Sequence, residues 1–226
     1  VASLQNGVGN EETLAEFGGK VIGGVVMTGF IRKDKDAVQV IASAGPMKIG
    51  RFPSGGDEAV SRLAELMNRA GIRTVTVPRI RDDVWAKNLI NATVSSLCTV
   101  VGVQCGGLDP VHSLAVMRGI AAETFAVTRE IGVTLPWSDE AAFCVYIRDE
   151  ILRPMADHPV SMLQDIQAGK LTEIDHINGP IIDLGKKYGI PTPYNTCITG
   201  LVHCIEASET GYRPAENRNE TSRPGT

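Results

Sequence analysis

Asp83-Val84-Trp85-Ala86-Lys87-Asn88-Leu89-Ile90-Asn91-Ala92-Thr93-Val94-Ser95-Ser96-Leu97-Cys98-Thr99-Val100 is the stretch at which the chain changes character. Its apolar residues do not alternate, and no Gly or Pro interrupts it. With Asp83 available as a cap, the pattern predicts a helix over 84–100. From about residue 82 onward the period stays helical. Before it the chain is rich in Gly and Val and reads as strands. The fold class that follows is α/β followed by all-α, divided into residues 1–80 and 81–212. A polar, Pro-containing tail over 213–226 is expected to be disordered.

Upstream, Asn6-Gly7-Val8-Gly9-Asn10 reads as a loop and 11–17 as a short helix. Strands are predicted at 21–27, 38–42, 47–52 and 73–77, with Lys33-Asp34-Lys35-Asp36 as a charged turn. Residues 56–70 form an amphipathic helix with Val60, Leu63, Ala64 and Met67 on one side and Gly71 as its stop. Downstream, helices are predicted over 110–131, from Ser138 to about 152, over 161–168, from Thr172 to about 188, and over 195–208. Thr172-Glu173-Ile174-Asp175 has the form of a capping box with Asp in place of Glu. There is no GxGxxG after a strand. Gly18-Gly19 and Gly23-Gly24 lack its spacing.

Length and composition allow a sizeable core. The net charge of −4 argues against a nucleic-acid surface. No apolar run is long enough to span a membrane. The five cysteines are odd in number and form no CxxC pair. They read as free buried thiols in a reducing, cytoplasmic setting. They are not grouped with His112, His158 or His176, and His203 beside Cys204 has no further ligand near in sequence, so no metal site is expected. The first residue is Val1, not Met, which reads as an internal start.

Two polar groups stand out. On the 84–100 helix, Lys87, Asn91 and Ser95 recur every four residues. They share one face and drift by about 40° per step at roughly 100° per residue. A plain solvated helix face is the bland explanation. Against it, no charged residue appears between Lys87 and Asp109, whereas a surface face normally carries several. One cation with small hydrogen-bonding groups suits a small anion bearing a carbonyl. The second group is Ser161-Met162-Leu163-Gln164-Asp165 with Thr172-Glu173-Ile174-Asp175-His176-Ile177-Asn178-Gly179-Pro180. Ser161 precedes a helix, where it can cap the helix, hold a carboxylate, or do both.

Taken in order, Leu4-Gln5-Asn6-Gly7-Val8-Gly9-Asn10, Trp85-Ala86-Lys87-Asn88-Leu89-Ile90-Asn91, Ser161-Met162-Leu163-Gln164-Asp165, Thr172-Glu173-Ile174-Asp175 with Asn178-Gly179, and Gly189-Ile190-Pro191-Thr192-Pro193-Tyr194-Asn195 resemble the ketopantoate reductases. The resemblance runs from Leu4 to about Glu206. It implies the C-terminal part of a Rossmann-type domain followed by a helical domain like that of 6-phosphogluconate dehydrogenase, with the active site in the cleft between them. The implied activity is NADPH-dependent reduction of 2-dehydropantoate to pantoate, in pantothenate biosynthesis, or of a close analogue. Lys87 matches the catalytic lysine and proton donor. Asn6 matches the asparagine beside nicotinamide and substrate, Asn91 a substrate-binding asparagine, Ser161 the serine for the substrate carboxylate, and Glu173 the glutamate near the cofactor ribose. Ser95-Ser96 stands where the family often has Asn-Pro. Ser95 is read as a substrate contact shorter than Asn and with fewer hydrogen-bonding groups, which bears on the choice of 2-oxo acid.

The chemistry is consistent with these residue types. Hydride attack on a ketone creates an alkoxide, which needs a proton and a nearby cation, and an ammonium supplies both. The opening strand, Gly-rich loop and first helix of the dinucleotide fold are not in the chain, so very weak NADPH binding by the chain alone is expected. The expected partners are a small 2-oxo acid and a second copy as a homodimer, with neither nucleic acid nor membrane. Two other readings stay open: a non-catalytic dimerisation or binding module, and a related 2-hydroxyacid dehydrogenase with a different substrate.

Overall fold

The computed structural model describes residues 1–32, 34–43, 45–157 and 159–210. Lys33 of the expected charged turn, His158 and the tail expected over 213–226 lie outside them. By internal contacts the chain forms two units. The first is Val1–Leu89 with Thr128–Pro136, and the second is Ile90–Val127 with Trp137 onward.

The first unit holds the strands. Its sheet has the order β1 (Ala2–Ser3), β2 (Ile22–Val25), β5 (Met47–Arg51), β6 (Thr74–Thr76). β1 runs parallel to β2, β2 antiparallel to β5, and β5 parallel to β6. β3 (Thr28–Arg32) and β4 (Val38–Ser43) form a separate antiparallel hairpin with an irregularity at Gly29/Phe30. β1 and β3 were not foreseen. β1 is too short to show a period, and the break after β2 falls inside one β-branched run. Helix α1 (Asn10–Glu16) follows β1, and α2 (Glu58–Arg69) follows β5.

The stripe expected on α2 is the one that packs. Val60 and Ala64 join Ile22, Met47 and Ile49 in a buried cluster, with Leu63 and Met67 against it. Asp57 caps the helix by accepting from Val60 N at 3.1 Å, and Arg51 clamps the same carboxylate at 2.5 Å. At the other end Asn68 ties α2 to the edge strand: its Nδ2 donates to Ala64 O and Thr74 O, and its Oδ1 accepts from Thr74 N. Gly23 and Gly24 lie within buried β2. A Cβ on Gly24 would collide with Leu4 Cδ2, and one on Gly23 would stand 3.1 Å from Ile80 Cγ1. This glycine pair serves close packing.

The helix foreseen over 84–100 begins earlier and is interrupted. α3 covers Ile80–Ile90, a π turn covers Asn91–Ser95, and α4 covers Ser96–Val101, ending at left-handed Gly102. Asp83 is therefore not a cap. It lies in the first turn, where acids favour the helix dipole, and binds Lys48 Nζ at 2.6 Å. α5 (Pro110–Glu130) ends before left-handed Gly132. α6 (Glu140–Tyr146) is capped by Asp139, not Ser138, through Ala142 N at 2.8 Å, and a second π turn over Ile147–Leu152 continues it. α7 spans Ser161–Gln167. The helix expected from Thr172 to 188 is two helices, α8 (Ile174–Ile177) and α9 (Gly179–Tyr188), with Pro180 in the first turn of α9. α10 runs Pro193–Thr210. Phe143, Met117, Ile120, Ile147, Met162, Ile174 and Ile181 are among the fully buried side chains of the second unit. Among the described residues no helix is long and apolar enough to cross a membrane. Cys98 and Cys105 are buried, but Cys197 and Cys204 are exposed on α10, contrary to the expectation of buried thiols. An amphipathic helix surface carries small, weakly polar thiols without penalty.

Candidate active site

In the first unit, β1 runs out into the turn containing Asn6. Gly7 and Gly9 adopt positive φ there, and Asn10 Nδ2 closes the turn onto Asn6 O at 3.0 Å. Asn6 itself is half-buried. Lys87 sits near the end of α3, also half-buried, and its Nζ donates to Val26 O at 2.5 Å. Val26 is the residue immediately after β2. Since β1 and β2 are parallel, the Asn6 turn and the anchor of Lys87 lie at the same, carboxyl, end of that strand pair. In α/β sheets this is the end where ligands collect. The ammonium is thus held at the carboxyl end of β2, half-buried.

In the second unit, Asn91 opens the π turn and is half-buried, while Ser95 closes it and is buried. Several side chains bond to the backbone here. Thr93 Oγ1 donates to Ile90 O at 3.0 Å and Thr99 Oγ1 to Ser95 O at 2.7 Å. Ser96 Oγ and Asn178 Nδ2 both donate to Ala92 O, the latter at 3.2 Å. The even four-residue stripe read from the sequence is therefore re-phased between Lys87 and Ser95, because a π turn takes one more residue per hydrogen bond.

Ser161 is the first residue of α7 and is exposed, and the capping position falls on Val160, with no side-chain cap. Thr172 does not close a capping box. Its Oγ1 donates to Glu206 Oε1 at 2.7 Å while accepting from Ile174 N at 3.2 Å. Asp175 turns instead to His203 Nε2 at 3.0 Å, and His203 Nδ1 meets Glu206 Oε2 at 2.8 Å. Glu173, between these groups, is half-buried. Burial, and then the charge of Glu173, push the Asp165 carboxyl above its usual range, with Lys170 opposing. The two carboxylates are thus near enough for the charge of Glu173 to be felt at Asp165.

The family model described as ketopantoate reductase PanE/ApbA C terminal matches residues 79–206, and the one described as ketopantoate reductase PanE/ApbA matches residues 1–54. The chain belongs to the ketopantoate reductase family. The 2-dehydropantoate 2-reductase of Pyrococcus horikoshii is 33% identical over 208 residues, covering 92% of this chain and 67% of that protein. A PanE/ApbA family ketopantoate reductase from Ralstonia eutropha, known from its crystal structure, is 32% identical with a TM-score of 0.79, covering 92% of this chain and 67% of the other. D-mandelate dehydrogenase, solved as a ternary structure with NADH and anilino(oxo)acetate, is 28% identical with a TM-score of 0.79 over 92% of this chain and 68% of its own. The chain spans about two thirds of the length of these relatives. Each is an oxidoreductase by name, and the family's architecture, a Rossmann part followed by a helical part, agrees with the order of elements found here.

Of the family-matched positions, Asn6 and Lys87 fall in the first unit, and Asn91, Ser95, Ser161 and Glu173 in the second. Asp165 and Asn178 were quoted in the sequence motifs but not singled out. Asp165 is marked by its burial and by the charge of Glu173, and the link of Asn178 to Ala92 spans 86 residues. No local spacing signals either.

Proposed function

We propose that this ketopantoate reductase family member reduces a 2-oxo acid with NADPH, taking 2-dehydropantoate to pantoate or acting on a close analogue. The observation that supports it most is the half-buried ammonium of Lys87, anchored on Val26 O at the carboxyl end of the parallel strand pair, where the Asn6 turn also lies. The residues fit the nicotinamide end of a dinucleotide. Left-handed Gly9 opens α1, and a Cβ placed there would meet nothing within 4 Å, so the turn's backbone is open to a ligand. When bound, the nicotinamide supplies the hydride.

The chain's own residues do the rest. Lys87 gives its proton to the carbonyl oxygen as negative charge develops on it, and its positive charge stabilises that oxygen. Asn6 orients the nicotinamide and the substrate. Asn91 and Ser95 hydrogen-bond the substrate, and Ser161 takes its carboxylate with the free N–H groups that begin α7. Glu173 holds a ribose hydroxyl.

The test is turnover of NADPH with 2-dehydropantoate by the full natural protein. Lys87→Ala is expected to lower kcat by at least about a hundredfold. Near-parental turnover in that variant would refute the role. A second reading, a dehydrogenase for another 2-oxo acid, is favoured by Ser95-Ser96 and by the bound anilino(oxo)acetate of the mandelate enzyme. A panel of 2-oxo acids ranked by kcat/KM separates the two. If no member of the panel oxidises NADPH, a non-catalytic binding module becomes the better account.

A further inference from the structure

A buried polar chain crosses the second unit. Glu123 on α5 accepts three hydrogen bonds at the start of α10: from Tyr194 N at 2.7 Å, Asn195 N at 2.9 Å and Asn195 Nδ2 at 2.7 Å. Asn195 Oδ1 then accepts from Asn178 Nδ2 at 2.9 Å, and the same Nδ2 donates to Ala92 O at 3.2 Å. Asn178 and Asn195 are fully buried and Glu123 nearly so. Ala92 is the second residue of the π turn that carries Asn91 and Ser95.

The direction of the chain is fixed by chemistry. Both Glu123 oxygens already accept from backbone N–H groups, so Asn195 turns its NH₂ toward Glu123 and its oxygen toward Asn178. Asn178 must then present its NH₂, which is also what a backbone carbonyl requires. Local departures from a regular helix have definite causes, one of which is a side chain inserted into the hydrogen-bond ladder. Here two side chains reach Ala92 O: Ser96 Oγ from the next turn of the same helix, and the Asn178 amide from the junction of α8 and α9.

We infer that Asn178 is a positioning residue: it holds the Asn91–Ser95 π turn in the shape that presents Asn91 and Ser95 to the 2-oxo acid, with Asn195 and Glu123 fixing its orientation. Its effect on substrate rests on the proposed reductase activity, while its effect on the turn does not. Asn178 need not touch the substrate itself. It sets the backbone from which two substrate contacts project.

The test has two arms. Hydrogen exchange is followed amide by amide in Asn178→Ala. Exchange over residues 92–97 is expected to quicken by about tenfold or more, with the middle of α5 unchanged. In steady-state kinetics of the full natural protein, KM for the 2-oxo acid is expected to rise by about tenfold with KM for NADPH within about twofold, and the rise should vanish in an Asn91→Ala background. A general loss of stability would move both KM values together or neither. Unchanged exchange over 92–97, or a full KM penalty on top of Asn91→Ala, overturns the inference. If Asn178→Ala does not fold, the isosteric Glu123→Gln is read in the same way. It turns one of the two acceptor oxygens into an NH₂ donor facing an N–H at the start of α10, and should loosen the same six residues. If the parental protein reduces no 2-oxo acid, the functional proposal fails, and the exchange arm alone decides whether Asn178 holds the turn.

Discussion

Glu11 lies in the first turn of α1 with its side chain almost wholly removed from water. Burial pushes its carboxyl above the usual value of 4.5, the backbone N–H of Glu11 itself opposes this, the neighbouring charge of Glu12 adds to the rise, and the nearby Ser3 hydroxyl opposes it weakly. A folded value above the unfolded one means that the folded state holds the proton more tightly. The associated stability is fully present below pH 4.5 and is lost as pH rises through the folded value. Glu11→Gln keeps the shape without the charge. Its melting temperature is expected to exceed the parent's at neutral pH and to converge on it toward pH 4, and parallel curves across that range would contradict this account. Lys87 was legible from the sequence because one cation on an apolar helix is conspicuous. Glu11 was not, since an acid in a first helical turn is ordinary and its burial depends on Ser3 and β2, elements whose packing has no local signature.

At the level of elements, the glycines show where close approach sets the architecture. A Cβ on Gly50 in β5 would lie 2.5 Å from Val77 O and 2.9 Å from Ile80 Cβ. The first is backbone and cannot swing aside. Gly50→Ala is expected to destabilise by about 1–3 kcal/mol, read as a lower denaturant midpoint. Gly19→Ala, where nothing stands within 4 Å, is the matched control. Periodicity located most helices because an apolar stripe reports the face a helix buries, and Val60, Leu63, Ala64 and Met67 on α2 are the clearest case. It missed their internal breaks. Nothing in Asn91-Ala92-Thr93-Val94-Ser95 forbids a regular helix, and the π turn there coincides with a side-chain donor arriving from α8–α9. The Thr172 capping box failed for a similar reason. Glu206 and His203, some thirty residues away in sequence, take Thr172 and Asp175 as partners first.

Across the whole molecule, the chain passes between its two units at residues 89/90, 127/128 and 136/137. The return of Thr128–Pro136 to the first unit is secured by Arg79, which donates to Gly132 O, and by Arg81, which donates to Ile131 O. A change of period says which elements are built, not which of them pack together, so this return could not be read from composition. The first unit's sheet ends at β6, a strand of three residues with Val75 exposed. Backbone groups along such a margin invite a strand from another molecule. Asn68 grips both the N–H and the C=O of Thr74, so β6 cannot slide along its neighbour without first giving up that amide. Asn68→Ala should release the grip and leave a longer adhesive rim. Its mark would be faster growth of light scattering on mild heating, at a temperature where far-ultraviolet circular dichroism still reports a folded chain. On that expectation, one amide side chain would guard against strand addition as well as fix the register of β6.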